Sequence, residues 1–304
     1  MFLTFGAEII RLMKFAGLGV ALVTPFNEDG SVDYNGLEKL VNHNIENGTD
    51  TLVVQGTTAE AATLNNEEKQ KVLSKVIEVN KGRKEIVLGI GGNNTLEVGE
   101  LLKTTDFTGV DGVLSVSPFY NKPTQEGIYQ HYKYISACTD LPIILYNVPG
   151  RTSSNVLAET TLRIARDCKN VVAVKEASGS LEQVMKIIQD RPEGFTVLSG
   201  DDALTLPMTA AGGDGVISVV GNAFPKEFSE MVKLTKEGKL NEARDLHYKV
   251  LDLIHALFIE GNPGGIKEVL KQKGICGETL RLPLVNVSNE TKTLLKDLIA
   301  KNNL

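Results

Sequence analysis

Short apolar runs alternate with longer amphipathic runs along most of this chain, and this alternation restricts the possible folds more than any other feature. An apolar run of strand length between turn residues is typical of a strand buried on both faces. Such runs predict strands at Gly17–Thr24, Thr51–Val54, Ile86–Ile90, Gly112–Ser115, Pro142–Tyr146, Val171–Glu176, Phe195–Ser199 and Gly215–Val219. Amphipathic patterns predict helices at Tyr34–Glu46, Glu67–Asn80, Leu96–Asp106, Gln125–Cys138, Leu157–Asp167, Leu181–Asp190, Asp202–Ala211 and Pro225–Leu234.

This order of elements predicts an α/β fold of the (β/α)8 TIM barrel type, in which a helix follows each strand. A doubly wound open sheet would show the same alternation. However, no GxGxxG motif follows the first predicted strand, so the dinucleotide-binding version of that fold is not supported. The active site of a barrel forms at the carboxyl ends of its strands, so polar residues there are the candidates for function.

The strand pattern stops after about Gly238, and only helical patterns follow it. We therefore expect residues 13–238 to form the barrel and residues 239–304 to form a helical C-terminal appendage. The first twelve residues are apolar but lack the basic segment and the small-residue cleavage site of a signal peptide. Because Met13 stands directly before KFAGLGVALVTPF, the segment that opens the predicted barrel, we expect residues 1–12 to be a dispensable extension.

The composition restricts the partners and the compartment. The formal net charge of the 304 residues is -6, which argues against nucleic acid or an anionic membrane as the main partner. No apolar run approaches the roughly 18 to 20 residues of a membrane-spanning helix. The three cysteines are scattered, without a CxxC or Cys/His pairing, so neither a disulfide framework nor a zinc site is predicted. We expect a cytoplasmic protein.

The sixth predicted strand contains a lysine, Lys175, directly after the apolar run VVAV at residues 171–174. Burying an ammonium group is costly, so a lysine at a strand end usually extends its side chain to water. Alternatively, its pKa is lowered until the neutral amine can attack a carbonyl and form a Schiff base. Lowering that pKa from about 10.4 to between 7 and 8 requires roughly 3–4 kcal/mol of destabilisation of the ammonium form. Lys175 alone does not decide between these explanations.

Polar groups follow several other predicted strands. The sequence GTT at residues 56–58 offers adjacent backbone N–H groups and two hydroxyls, which suit a carboxylate, although a simple helix N-cap would have the same composition. Tyr146 ends the fifth strand, where a tyrosine is usually a packing residue. The pair Asp201–Asp202 follows the seventh strand, and we interpret both aspartates as helix caps.

Together these motifs resemble those of the dihydrodipicolinate synthase and N-acetylneuraminate lyase family of class I aldolase-like barrels. The resemblance extends from Lys14 to about Leu304. The matching motifs are GTTAEAATL at 56–64, SPFYNKPTQEG at 117–127, YNVPGRT at 146–152, VKEASG at 174–179, LSGDD at 198–202 and GVISV at 215–219. The resemblance implies a lyase that condenses pyruvate with L-aspartate 4-semialdehyde through a Schiff base, on the way to diaminopimelate and lysine.

The resemblance also assigns catalytic roles to individual residues. Lys175 would form the Schiff base with the ketone of pyruvate, and Tyr146 would act as acid and base at the imine. Thr57 and Thr58 would bind the substrate carboxylate, and the Thr58 hydroxyl would link Tyr146 to Tyr120 in a proton relay.

Further roles concern the second substrate and the assembly. Arg151 would hold the carboxylate of the semialdehyde at the entrance, and the backbone around Gly200 and Ile217 would complete the pocket. Tyr120 would be supplied by a second subunit, so the resemblance implies a homo-oligomer, and we expect a dimer of dimers, a homotetramer. It implies no organic cofactor and no catalytic metal.

Two alternatives remain open. An N-acetylneuraminate lyase or a keto-deoxy-sugar acid aldolase would use the same scaffold, but the lyases usually carry Gly-Ser-Thr in the first loop and lack the arginine of the fifth. GTT at residues 56–58 together with Arg151 therefore favours the condensation. A barrel that serves only as a binding module would have lost part of the set of lysine, tyrosine and threonines, whereas the set here is complete.

Overall fold

The computed structural model describes residues 14–304, so the extension predicted at residues 1–12 lies outside the described part of the chain. Its strands are β1 (Gly17–Ala21), β2 (Thr51–Val54), β3 (Glu85–Gly89), β4 (Gly112–Val116), β5 (Ile143–Asn147), β6 (Val171–Glu176), β7 (Thr196–Ser199) and β8 (Gly215–Ser218). Neighbouring strands pair in parallel in sequence order, and β8 also pairs with β1, which closes the barrel.

A helix follows each strand and packs on the outside of the barrel. These helices are α1 (Tyr34–Glu46), α2 (Asn66–Asn80), α3 (Thr95–Thr104), α4 (Gln125–Ser136), α5 (Ala158–Asp167), α6 (Leu181–Asp190), α7 (Thr205–Ala210) and α8 (Pro225–Lys236). Their starts have local causes: Asp33, Asn65 and Ser180 accept hydrogen bonds from first-turn N–H groups of α1, α2 and α6. The predicted (β/α)8 barrel is confirmed.

Short helical turns occupy several loops that the sequence pattern did not resolve. They are Thr57–Ala59, Ala61–Thr63, Pro149–Thr152, Asp202–Leu204 and Val220–Asn222.

The first strand ends earlier than predicted, at Ala21 and not at Thr24. Beyond it, the Val23 N–H donates to the side chain of Asn222 at 3.1 Å, and the Thr24 hydroxyl donates to the Ala59 carbonyl at 2.7 Å. The chain therefore leaves the sheet here because side chains and loop carbonyls replace the strand as hydrogen-bond partners.

Successive residues of a strand point to opposite faces, so each barrel strand contributes to two apolar layers. The interior layer is built from inward-facing side chains of many strands, including Val53, Val87, Leu114, Ile144, Ala173, Leu198 and Ile217. On β6, Ala173 belongs to this interior layer, whereas Val174 packs against the surrounding helices. By the same alternation, Lys175 projects into the barrel interior.

Three more helices follow the barrel, α9 (Leu240–Leu257), α10 (Gly264–Gln272) and α11 (Asn289–Lys301). Helix α9 packs against α8, and all three pack against one another. Leu253, Ile266 and Leu295 contribute buried side chains to the same outer apolar layer as the barrel helices. None of the helices in residues 14–304 is long and apolar enough to cross a membrane.

Candidate active site

Lys175 and Tyr146 lie side by side at the carboxyl ends of two neighbouring strands. The register of β5 and β6 pairs Tyr146 directly with Lys175. The Lys175 Nζ lies 4.4 Å from the centre of the Tyr146 ring, and the lysine is only 5% exposed. The strand topology therefore places an amine next to a phenol in a largely dry interior.

The surroundings of Lys175 favour the neutral amine. Burial lowers the pKa of Lys175 from 10.5 to about 8, the charge of Asp202 opposes this shift, and the positive charge of Arg151 supports it. Within residues 14–304, Lys175 forms no salt bridge of 4.0 Å or less. About a tenth of this amine is thus unprotonated at pH 7, against less than a thousandth for an ordinary lysine, and only the neutral form can attack a carbonyl.

Gly200 gives the lysine the room that it occupies. A Cβ atom at this position would lie 3.1 Å from Cε of Lys175 and 2.8 Å from Cβ of Ala177. The Gly200 N–H donates to the Glu176 carbonyl at 2.8 Å, which keeps the backbone close to β6. A larger residue here would displace the Lys175 side chain.

The threonine loop after β2 approaches Tyr146 from another side. Burial raises the pKa of the Tyr146 phenol, and the side chain of Thr57 opposes this shift. The Thr58 hydroxyl instead accepts a hydrogen bond from the Asn262 amide at 3.0 Å. The predicted relay from Tyr146 through Thr58 to Tyr120 stays a prediction. The loop makes a 3-10 turn over Thr57–Ala59, in which Thr57 is exposed and Thr58 is buried.

Arg151 lies on the helical turn Pro149–Thr152, at the edge of the cleft and exposed to solvent. Its charge acts on both Lys175 and Tyr146. A guanidinium in this position can bind a small carboxylate through two parallel hydrogen bonds.

A buried polar network behind β5 and β6 supports the loop that carries Arg151. The Asn147 amide donates to both carboxylate oxygens of Glu176 at 3.0 Å, and its carbonyl oxygen accepts the Val156 N–H at 2.9 Å. The Gln183 amide also donates to Glu176 at 3.0 Å. Sequence reasoning missed these positioning residues, although Glu176 directly follows Lys175 and had to face away from it.

The pair Asp201–Asp202 behaves differently from the predicted pair of helix caps. Asp201 does cap the next turn, because its carboxylate accepts the Ala203 N–H at 3.0 Å. Asp202 is buried and reaches across to the loop after β8, where it accepts the N–H groups of Val219 and Val220, both at 3.0 Å. The interpretation of Asp202 as a helix cap is therefore wrong, and its role is to bind the β8 loop beside Lys175.

A single continuous cleft of about 1700 Å³ contains most of the predicted site. The predicted residues that line it are Thr57, Thr58, Tyr146, Arg151, Lys175 and Gly200. A smaller cleft of about 670 Å³ lies at the amino ends of the strands and includes Asp50 and Asp111, but none of the predicted residues.

Tyr120 and Ile217 are the two predicted residues that do not line this cleft. Ile217 is buried in the apolar layer inside the barrel, together with Tyr146. The Tyr120 side chain is 85% exposed and its backbone has a φ of 77°, in the left-handed region that is uncommon for residues other than glycine. Within one chain, Tyr120 is not brought to Lys175.

Comparisons with known proteins find relatives over nearly the whole described chain. The model of the dihydrodipicolinate synthetase family matches residues 14–302. A 4-hydroxy-tetrahydrodipicolinate synthase from Flavobacterium psychrophilum is 54% identical over 290 residues, covering 95% of this chain and 99% of the relative. One from Parabacteroides distasonis is 56% identical over 273 residues, covering 90% and 92%. The crystal structure of a dihydrodipicolinate synthase from Thermotoga maritima superposes with a TM-score of 0.92 at 44% identity, covering 95% and 99%. The family match spans nearly all of the described residues, and the chain therefore belongs to the dihydrodipicolinate synthetase family.

Proposed function

We propose that this protein condenses pyruvate with L-aspartate 4-semialdehyde to give 4-hydroxy-tetrahydrodipicolinate, the reaction for which its relatives are named. The observation that carries the proposal is the position of Lys175, buried at the carboxyl end of β6 against Tyr146 with a pKa of about 8. This arrangement supplies a neutral amine and a proton donor at the same point.

The first half of the reaction forms the Schiff base. The Lys175 amine attacks the ketone carbon of pyruvate, a C–N bond forms, and one proton moves from the nitrogen to the ketone oxygen. Tyr146 then protonates this oxygen, which leaves as water. The nitrogen gives its second proton to the Tyr146 phenolate, so the imine forms and Tyr146 is neutral again. Tyr146 suits this work because burial keeps its pKa raised and its phenol protonated.

The second half forms the new carbon–carbon bond. Transfer of a proton from the pyruvate methyl group to the imine nitrogen gives an enamine, whose carbon attacks the aldehyde carbon of the semialdehyde. The aldehyde oxygen takes up the proton that the nitrogen then releases and becomes the hydroxyl of the product. The amino group of the second substrate then attacks the imine carbon, closes the ring and releases the Lys175 amine. The enzyme therefore returns to its starting state without a net gain or loss of electrons.

The two carboxylates are proposed to bind at separate places. The loop of Thr57 and Thr58 offers hydroxyls and backbone N–H groups to the carboxylate of pyruvate, deep in the cleft. Arg151, at the exposed edge, is proposed to receive the carboxylate of the semialdehyde.

We also propose that the working form is a homo-oligomer in which Tyr120 of one subunit enters the cleft of another. The support is the exposure of this tyrosine together with its left-handed backbone, a costly conformation that functional sites often retain. Mixing inactive Tyr120→Phe subunits with inactive Lys175→Ala subunits should restore activity in hybrid dimers. Hybrids that assemble and remain inactive would contradict the shared site.

The activity is tested by offering pyruvate with L-aspartate 4-semialdehyde in a coupled assay, beside a parallel assay with N-acetylneuraminate. We expect turnover of the first pair and none, or only a trace, with the sugar acid. Cleavage of N-acetylneuraminate without condensation would replace this proposal by the lyase alternative.

A further inference from the structure

The threonine loop depends on an unusual residue at its centre. Glu60 joins the two 3-10 turns Thr57–Ala59 and Ala61–Thr63, and its φ of 52° lies in the left-handed region. Its N–H donates to the Thr57 carbonyl at 3.2 Å, and its own carbonyl accepts the Thr63 N–H at 2.9 Å. The direction in which Thr57 and Thr58 point therefore depends on how Glu60 is held.

The carboxylate of Glu60 is held from the C-terminal region of the chain. One oxygen accepts a hydrogen bond from Lys267 Nζ at 2.5 Å, and the other accepts the backbone N–H of Arg281 at 3.0 Å. The side chains of Glu60 and Lys267 are both completely buried. A loop of the barrel is thus tied to α10 and to the segment that follows it.

The ammonium group of Lys267 is fixed in position by two further contacts. It donates to the Thr279 carbonyl at 2.9 Å and lies 4.2 Å from the centre of the Phe26 ring. Burial lowers the pKa of Lys267, and the carboxylate of Glu60 opposes that effect. Because the charge has defined partners on several sides, the pair has one orientation.

Other contacts from the same region reach the same loop. The Arg281 guanidinium donates to the Thr63 carbonyl at 2.8 Å, and the Asn262 amide donates to the Thr58 hydroxyl at 3.0 Å. The C-terminal region therefore contacts the loop at its centre, Glu60, at its end, Thr63, and at Thr58.

From this geometry we infer that Glu60 and Lys267 are positioning residues, through which the C-terminal region holds Thr57 and Thr58 in the conformation that binds the carboxylate of pyruvate. The inference rests on the proposed function. A buried ion pair is weak evidence for stability, because well-packed neutral replacements of both partners are often no less stable. What neutral side chains would not reproduce is the short, oriented link between the loop and α10.

The test compares Glu60→Gln, Lys267→Met and the double variant Glu60→Gln/Lys267→Met. For each, the readout is the pyruvate concentration that gives half-maximal labelling of Lys175 on borohydride reduction, measured beside thermal unfolding. We expect this concentration to rise about tenfold in both single variants, while labelling at saturating pyruvate stays near wild type. The double variant leaves no unpaired buried charge, so it should be more stable than either single variant. It should still need the raised pyruvate concentration for half-maximal labelling, which we call the pyruvate requirement.

Asp214→Asn is the matched control. Asp214 is also buried, forms an ion pair with Arg191, and lies just before β8 at the opposite end of the barrel. Its loss should lower stability without changing the pyruvate requirement. If a single variant does not fold, the pyruvate requirement of the double variant decides the test.

Two results would overturn the inference. One is a folded Glu60→Gln or Lys267→Met variant that needs no more pyruvate for half-maximal labelling than the wild type. The other is a double variant in which both the stability and this pyruvate concentration return to the wild-type values. Absence of any labelling in the wild-type protein would instead overturn the proposed function on which the inference depends.

Discussion

Lys175 and Lys267 are both buried, but the surroundings of their ammonium groups differ. Lys175 lies inside the barrel against the ring of Tyr146 and forms no salt bridge within residues 14–304. Lys267 lies where the barrel meets the C-terminal helices and donates to the carboxylate of Glu60 and to a backbone carbonyl. Burial lowers the pKa of both lysines. The charge of Asp202 partly opposes this shift at Lys175 without forming a salt bridge, whereas the carboxylate of Glu60 accepts a hydrogen bond directly from Lys267.

The two environments favour different states of the same residue type. The neutral, nucleophilic amine is favoured when burial is only partly compensated, because the desolvated ammonium of a lysine releases its proton easily. A lysine becomes a structural cation when a carboxylate and a carbonyl replace the lost water. Burial alone therefore does not identify a Schiff-base lysine, and the partners of the nitrogen decide its role.

The largest expected difference between the two lysines is in covalent labelling. Reduction with borohydride in the presence of pyruvate should attach one pyruvate-derived group per chain, on Lys175. Lys175→Ala should abolish labelling and reduce turnover by about a thousandfold or more, since the covalent route is lost. Lys267→Met should still be labelled, on Lys175 only. Peptide mapping checks the site, and an adduct on Lys267 would contradict the distinction.

The second difference concerns stability, where the two lysines should respond with opposite signs. At pH 7, Lys267→Met leaves Glu60 buried without its cation and should lower the free energy of unfolding by about 3–5 kcal/mol. Lys175→Met removes a buried charge that Asp202 compensates only in part, and should raise the free energy of unfolding by up to about 3 kcal/mol. Denaturant unfolding of both variants measures the signs.

The increase in the free energy of unfolding expected for Lys175→Met should depend on pH in one direction. The folded pKa of Lys175 is about 8 and lies below its ordinary value of 10.5, so protonation favours the unfolded chain. The penalty in the wild type is complete below pH 8 and disappears as the pH rises from 8 to 10.5. The advantage of Lys175→Met should shrink over the same interval. A gain that is constant with pH would show that packing, and not charge, is responsible.

Labelling of Lys175 should itself depend on pH, because only the neutral amine attacks the ketone. At low pyruvate, the initial rate of labelling with cyanoborohydride should rise about tenfold per pH unit below pH 8 and level off above it. Across the range from pH 6 to pH 9 the rise should be close to a hundredfold. A half-point near 10.5, the ordinary value, would mean that burial does not activate this lysine.

The sequence alone was sufficient to predict the barrel. Apolar runs and helical periodicity are local signals, and a closed barrel requires the ends of neighbouring parallel strands to meet. The sequence therefore predicts that the ends of the fifth and sixth strands are neighbours, whereas the register that pairs Tyr146 with Lys175 is visible only in the structure.

Other parts of the site depend on contacts between distant residues. The orientation of Thr57 and Thr58 is set by a turn whose central residue, Glu60, is bound by Lys267, 207 residues further along the chain. The same reason explains the error at Asp202, which resembles a cap in the local sequence but binds the β8 loop. No periodicity or spacing in the sequence records such contacts.

The smallest expected effect concerns the response of Lys175 to the charge of Arg151 at the edge of the cleft. The positive charge of Arg151 helps to lower the pKa of Lys175, so Arg151→Gln should raise that pKa. Less neutral amine would then be present at pH 7, and labelling there should slow severalfold at low pyruvate, since an exposed charge is partly screened. Above pH 10 the labelling rates of Arg151→Gln and the wild type should converge.

Arg163→Gln, which removes an equal charge from the exposed surface of α5, is the control and should leave the pH profile of labelling unchanged. The shift should also shrink as salt is added, because Arg151 acts through solvent. If Arg151→Gln slows labelling equally at every pH, the arginine acts by binding pyruvate and not by tuning the lysine.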